Sequence, residues 1–445
     1  MSLLSYNRVK RRAIVRIQAK RLLILGIICL CSMVFFDSQA AEAKEKDKTS
    51  CYDSTVSLTP EEQRIEDGKP IPQQILEDSE FTQYVDKFKR DLCSAKSEKQ
   101  AEKLIERHGT KLWKTAVDRA QGKRPDLGEL DTYDDRPLYW ARLSMTSALR
   151  QWDPHFEVTE EKREQLMKKL EYTSRGITTI HFLQGERVKR VLVSGFDPYR
   201  LEQEFRRTNP SGASGLQLDG RLVWTDDGLA VIQAVNFPVR WDDFEEGIVE
   251  DTFGPFLKEG PKRVDLMMTI SQGGPRKMAI EGYAGRWHTG ADNKLEERAE
   301  VTPTVSDWPM PEPLPEFIET TLPYEEMIAA ETGPWPVFRN DEVCEWLPPN
   351  FEDPAVCHDG GPTPGSKARA GGGGSYLSNE SMYRSNRVRL GLGADDIPGG
   401  HLHIAAQEFY PVDKSVYITD EFKNFRKNTV DQTVELVEAA ARGIE

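Results

Sequence analysis

Four consecutive glycines, residues 371–374, stand four positions ahead of Ser378 in the stretch GGGGSYLSNESMYRS. Glycines let a backbone approach a ligand closely. The residues that follow read as a helix start, where unpaired N–H groups favour developing negative charge. A serine at that place has three readings: a helix N-cap, a catalytic nucleophile, or the remnant of a lost nucleophile. A nucleophile needs a base within hydrogen-bond reach, a third group that orients the base, and donors for the oxyanion. The glycine turn and the helix start are the natural source of those donors.

The elements that must hold such a site follow from the patterning upstream. RVKRVLVSGFDPY is a β-branched, apolar run closed by Gly, Asp and Pro, the pattern of a buried strand feeding a loop. GLAVIQAVNFPVRW reads as a second strand, EEGIVEDTFGPFLKEG as a helix, and RVDLMMTISQGG as a third strand. This alternation predicts an α/β fold with a mainly parallel sheet and a site at the carboxyl ends of its strands. The loops GFDPY, SQGGPR and IPGGHLH are expected at such ends. From about residue 72 to 172 the apolar spacing is helical, an all-α N-terminal extension with no catalytic constellation, and His108 and His155 read as surface or capping residues. The Pro- and acid-rich segment 303–365 reads as an excursion inserted into the fold rather than as sheet.

The chain has 445 residues, 38% hydrophobic and 30% charged, enough for a sizeable core and two domains. Residues 1–21 carry seven basic side chains and no acid, the apolar run 22–36 follows, and DSQAAEA then offers small residues for cleavage. Residues 1–40 therefore read as a signal peptide, with an uncleaved membrane anchor as the alternative, and a secreted or periplasmic location is expected. The polar segment 41–72 reads as a flexible tether, 73–186 as a helical domain and 187–445 as the α/β domain. Removing residues 1–40, with seven basic groups and one acid, changes the net charge from −14 to −20, which argues against a nucleic-acid partner. Four cysteines remain: Cys51, Cys93, Cys344 and Cys357. An even count in an exported chain predicts two disulfides; three connectivities exist, and the sequence-local pairs Cys51–Cys93 and Cys344–Cys357 are expected. No cysteine spacing resembles a metal site, and neither a metal nor a cofactor is expected.

Five segments, in order, resemble the pyroglutamyl peptidases, cysteine peptidases that remove N-terminal pyroglutamate with a Cys–His–Glu triad on a three-layer α/β/α sandwich. VLVSGFDPY, with Asn-Pro-Ser at 209–211, resembles the family's first strand and loop, and FPVRW the end of its second strand. VDLMMTISQGGPRKMAIEGYAG resembles the strand, turn and short strand that bear the glutamate, which implies that role for Glu281. GGSYLSNESMYRS resembles the nucleophile segment, with Ser378 in the position of the cysteine. GGHLHIAA resembles the histidine strand, which implies that role for His403, although Ala405 stands where the family has proline. The resemblance covers about 187–445. It further implies substrate contacts from Phe196, Tyr199 and Gln272, and from Arg286 as the nearest counterpart of the family's substrate-side arginine.

Ser378, His403 and Glu281 are then the nucleophile, base and orienting group of a Ser–His–Glu triad. Serine, unlike cysteine, cannot start from an anion near neutral pH and depends on His403 for deprotonation. Serine also escapes the oxidation and mispairing that a reactive thiol risks in an oxidising compartment. His401 is expected to face away from the site. The expected function is an exported hydrolase acting on an N-terminal pyroglutamyl or related amide, with a peptide or small amide as substrate. The alternative is an inactive relative that binds peptides or another protein. A membrane partner follows only from the anchor reading of residues 1–40.

Overall fold

The computed structural model describes residues 51–444, apart from 186 and 409. The signal-peptide or anchor reading of residues 1–40 falls outside the described residues. Six helices open the described chain: α1 (Pro60–Asp67), α2 (Ile71–Asp78), α3 (Thr82–Cys93), α4 (Glu98–Ala120), α5 (Arg136–Gln151) and α6 (Glu160–Ser174). The polar composition of 41–72 misleads over its second half, because Pro60 sits at the first turn of α1 and Thr59 and Glu62 form a reciprocal capping box. Proline and acid there start a helix instead of marking a tether. The disulfide Cys51–Cys93 ties the segment ahead of α1 to the end of α3. Helix α5 is buried from Arg136 to Leu149 and forms the centre of this layer. His108 is no surface residue: it is buried in α4, with Nε2 2.8 Å from Asp91 Oδ2.

The α/β region follows with β1 (Val188–Phe196), α7 (Pro210–Leu218), β2 (Leu222–Thr225), β3 (Gly228–Phe237), α8 (Trp241–Glu245), α9 (Ile248–Leu257), β4 (Leu266–Gln272) and β5 (Met278–Glu281). Next come β6 (Tyr283–Gly285), β7 (Trp287–Ala291), β8 (Glu297–Val301), β9 (Phe317–Glu319), α10 (Tyr324–Ala329), β10 (Val337–Asn340), β11 (Val343–Trp346), β12 (Val356–His358) and β13 (Lys367–Ala370). Helix α11 (Leu377–Gly391), β14 (Gly399–Ile404) and α12 (Asp420–Arg442) complete the fold. The main sheet has the order β10-β5-β14-β4-β1-β3-β2, with β14, β4, β1 and β3 mutually parallel. Alternation along β1 divides the core between the two faces. Val191 and Val193 pack with Ala213 of α7 and Val437 of α12, and Leu192 packs with Phe253 of α9 and Val388 of α11. The result is an α/β/α sandwich behind a helical layer, the fold class expected from the patterning.

Two expectations change. The Pro-rich segment contributes sheet: β10 is the edge strand of the main sheet, paired in parallel with β5, and β11 joins β12 and β13 in a small sheet clipped by Cys344–Cys357. IPGG leads into β14 rather than leaving a strand, and it is His403, opposite Ser271 of β4, that lies toward the carboxyl end.

Buried charge joins the helical layer to the loop after β1. Asp197 accepts from Arg142 of α5 at 2.8 Å and from Arg175 at 2.7 Å, while Arg240 reaches Glu171 of α6 at 3.0 Å and Glu61 of α1 at 3.4 Å. Each of these groups is nearly inaccessible, so removing one leaves an uncompensated buried charge, a loss of about 3–5 kcal/mol. Nearby, Asp135 accepts from the Thr208 hydroxyl and, at 2.9 Å, from the Asn209 N–H. Burial first, and the charge of Asp134 second, push its pKa from 3.8 up to about 7. The folded state thus holds this proton more tightly than the unfolded chain, and the associated stability is present below pH 4 and lost as pH rises through about 7. Asp135→Asn removes that dependence. Denaturant unfolding across this range should show the wild type losing stability relative to the variant, by an amount on the order of a few kcal/mol. A pH-independent difference between the two would contradict the assignment.

Candidate functional site

A cavity of about 370 Å³ opens at the carboxyl ends of β1 and β4 and takes its walls from Phe196, Tyr199, Gln272, Glu281, Ser378 and His403, among others. It is built on the register of three strands. His403 and Glu281 lie on the neighbouring antiparallel strands β14 and β5, and the His403 Nδ1 stands 2.6 Å from Glu281 Oε1. Both side chains are nearly buried, at 11% and 2% exposure, so the hydrogen bond is shielded from competing water. With Nδ1 engaged by the carboxylate, Nε2 is the nitrogen left for proton transfer. No group among the described residues hydrogen-bonds to it.

The second oxygen of Glu281 accepts from Asn340 Nδ2 at 2.8 Å, and the same amide nitrogen reaches the Gly372 carbonyl at 2.9 Å. Asn340 comes from β10, in the segment expected to be an excursion. It pins the glutamate and the glycine turn to one another. The turn has no room for side chains there: a Cβ on Gly372 would stand 2.4 Å from Glu281 Oε2, and one on Gly373 would stand 2.8 Å from His403 Cε1. Glycine at these two positions is thus required by close approach to the histidine–glutamate pair.

Ser378 is not the cap of α11. Tyr376 is the N-cap residue, with no side-chain cap bond, and Ser378 lies in the first turn, half-buried on the cavity wall. Its Oγ donates to the Gly373 carbonyl over 3.4 Å and makes no hydrogen bond to His403. Three of the glycine-turn amides are consumed, Gly371 and Gly374 by each other's carbonyls and Gly372 by Tyr283. The N–H groups of Gly373, Leu377, Ser378 and Asn379 donate to nothing among the described residues, so the oxyanion donors available are those of the helix start. Asn379 locks that start in place. Its Oδ1 accepts from the Gly285 N–H and its Nδ2 donates to the Gly285 carbonyl, both at 2.8 Å.

His401 stays out of the cavity lining as expected, but not by facing the other side of the strand. Residues two apart on a strand share a face, and the His401 and His403 rings meet edge to face with centroids 4.6 Å apart. Thr269 Oγ1 and Ser271 Oγ lie 2.7 and 2.8 Å from its two nitrogens, and burial, then the neighbouring His403, holds its pKa well below the ordinary value. It is a neutral support beneath the site. Arg286 does not reach the cavity; its guanidinium is 3.4 Å from Glu316. The cations that line the cavity are Arg200 and Lys277, and neither forms an ion pair among the described residues. Phe196 is mainly a core residue, stacked on Phe244 with one face to the cavity, whereas Tyr199 faces Tyr376.

Comparison with known proteins covers most of the chain. The family model described as the PA0049 N-terminal domain matches residues 40–171, and that described as the PA0049 C-terminal domain matches 190–296 and 336–408. The uncharacterized protein PA0049 of Pseudomonas aeruginosa is 31% identical over 475 aligned positions, covering 83% of this chain and 85% of that protein. Two crystal structures of pyroglutamyl peptidase I from Bacillus amyloliquefaciens match 57% of this chain at 17% and 16% identity. They are covered over 96% and 94% of their length, each with a TM-score of 0.37.

The Asn340 clamp generates a stability prediction. Asn340→Ala leaves one oxygen of a buried carboxylate unpaired, which should lower unfolding stability by about 1.5–3 kcal/mol. Chemical denaturation of the variant measures this, and a change below about 0.5 kcal/mol would mean that water replaces the amide at no cost.

Proposed function

The chain belongs to the PA0049 family, and we propose that it is an exported hydrolase cleaving an N-terminal pyroglutamyl or related amide bond. The observation that carries the reading is the shielded His403–Glu281 hydrogen bond at 2.6 Å, set in one cavity with Ser378 and the start of α11. Two disulfides fit the oxidising compartment that export implies.

In this reading the substrate carbonyl lies over the first turn of α11, with its oxygen toward the free N–H groups. Ser378 Oγ turns from the Gly373 carbonyl toward His403, a hydrogen bond of the kind that often forms only in the substrate complex. His403 Nε2 takes the hydroxyl proton as Oγ attacks, and Glu281 stabilises the imidazolium through Nδ1–H. The C–N bond then breaks, the proton passes to the leaving amine, and an acyl-serine ester remains. Water, deprotonated by His403, hydrolyses the ester and restores the serine. The aromatic wall of Tyr199 and Phe196, with Gln272 at the end of β4, offers an apolar slot with a polar contact for a small lactam ring.

One observation favours the alternative, an inactive relative that binds such peptides without cleaving them. In this structure Ser378 Oγ is bonded to Gly373 and not to His403. A chromogenic pyroglutamyl amide separates the two. The chain from residue 41 should turn it over, Ser378→Ala should lower kcat by about 10⁴-fold or more, and Glu281→Gln by about 10³-fold or more. Activity that appears only in Ser378→Cys would establish a dead enzyme with an intact pocket. No turnover in any variant, with no binding of pyroglutamyl peptides, would remove both readings.

A further inference from the structure

We propose that His288, Glu300 and Glu245 bind a divalent metal ion of the zinc class, directly behind the first turn of α11. The inference is independent of the hydrolytic reading. His288, on β7, is fully buried, and its Nδ1 stands 2.5 Å from Oε2 of the equally buried Glu380. Its Nε2 is inaccessible and has no hydrogen-bond partner among the described residues. That nitrogen faces Glu300 Oε1 at 3.8 Å, since His288 and Glu300 sit opposite one another in the β7–β8 hairpin. Glu245, from the end of α8, supplies a third donor, and the three ligand atoms lie within 4.8 Å of one another.

A buried imidazole nitrogen without a partner calls for an explanation, and the other nitrogen carries the arrangement that metal-binding histidines use. A carboxylate on Nδ1 fixes the tautomer and aims Nε2 as an electron-pair donor. Ligands of a tetrahedral zinc ion, about 2.1 Å from the metal, stand about 3.4 Å apart. The His288–Glu300 spacing closes with a small shift, and the flexible Glu245 side chain supplies the rest. One histidine and two carboxylates suit zinc and its first-row neighbours, and a fourth position stays open for water.

Arg298 is the competitor. Its Nε is 2.7 Å from Glu245 Oε1 and 4.0 Å from Glu300 Oε1, and its Nη2 is 3.4 Å from Glu245 Oε2, 3.3 Å from Glu296 and 3.6 Å from Asp242. Both alternative acids are already within reach, so the guanidinium can release Glu245 without losing its counter-charges. The ligands come from α8 and from facing positions of the β7–β8 hairpin, a juxtaposition set by strand register that no spacing motif marks. Their placement connects the site to the cavity. Glu380 follows Ser378 by two residues in α11, and Trp241 packs on both His288 and the N-cap residue Tyr376, with centroids 4.8 and 5.4 Å apart. A bound ion would hold the start of that helix.

Calorimetric titration of the chelator-stripped chain from residue 41 with zinc chloride tests this. One ion per chain is expected, with a melting temperature that rises with metal concentration. Glu300 is exposed, so Glu300→Gln should fold normally while its zinc affinity falls at least tenfold; His288→Gln should bind none. Failure of the wild type to bind, or binding of equal affinity in Glu300→Gln, would overturn the site.

Discussion

A single shielded hydrogen bond, His403 to Glu281, sets what the rest of the site must do. A carboxylate removed from water holds its geometry only if its second oxygen is also satisfied, and the imidazole beside it only if its neighbours fix the ring. Three features of the fold meet that demand. Asn340 takes the second glutamate oxygen. The neutral His401, itself held by Thr269 and Ser271, fills the space beside the ring. Glycine at 372 and 373 lets the turn close over both groups. Removing any of the three exposes the pair or pushes it apart.

The helical layer belongs to the same argument. Asp197 occupies the loop that brings Phe196 and Tyr199 to the cavity, and its two oxygens are taken by Arg142 and Arg175 from the helical side. A second buried cluster does the equivalent under α11, where Glu380 and Glu250 share Arg384 and Glu250 also holds Arg387. Burial alone would raise the Glu380 pKa, but the Arg384 charge and the His288 hydrogen bond outweigh it and hold it at about 2. Its stabilising contribution is therefore present above the ordinary carboxylate range and lost only as pH falls toward 2. Charges placed this way contribute little net stability against an apolar core, yet they fix the orientation of the loops and the helix start they join.

The alternating strands, the two disulfides and the main helices were legible because each is a local pattern: period two, period three to four, or a cysteine pair close in sequence. The proximity of Glu281 to His403 was implied by the family resemblance of their two segments and by no local pattern. What escaped was set by tertiary pairing. Asn340 ends a four-residue strand in a Pro-rich stretch, and only the register of β10 on β5 shows that it faces the glutamate. Helix α1 was hidden because its proline and acidic residues, read as composition, suggested a tether, whereas read by position they are a helix start. Arg286 was assigned by nearness in sequence, and the short strand β6 turns it toward Glu316 instead. His401 does keep out of the cavity, but the reason expected for it failed, since two residues along a strand return to the same face.

The central claim is that the His403–Glu281 pair activates Ser378, and covalent capture tests it most directly. A fluorophosphonate probe reacts with a serine only when a base removes its proton. Incubation of the chain from residue 41 with such a probe, followed by peptide mass spectrometry, should place one adduct on Ser378, and the adduct should vanish in His403→Ala. An unlabelled Ser378 in the wild type, or labelling that persists without His403, would contradict the account.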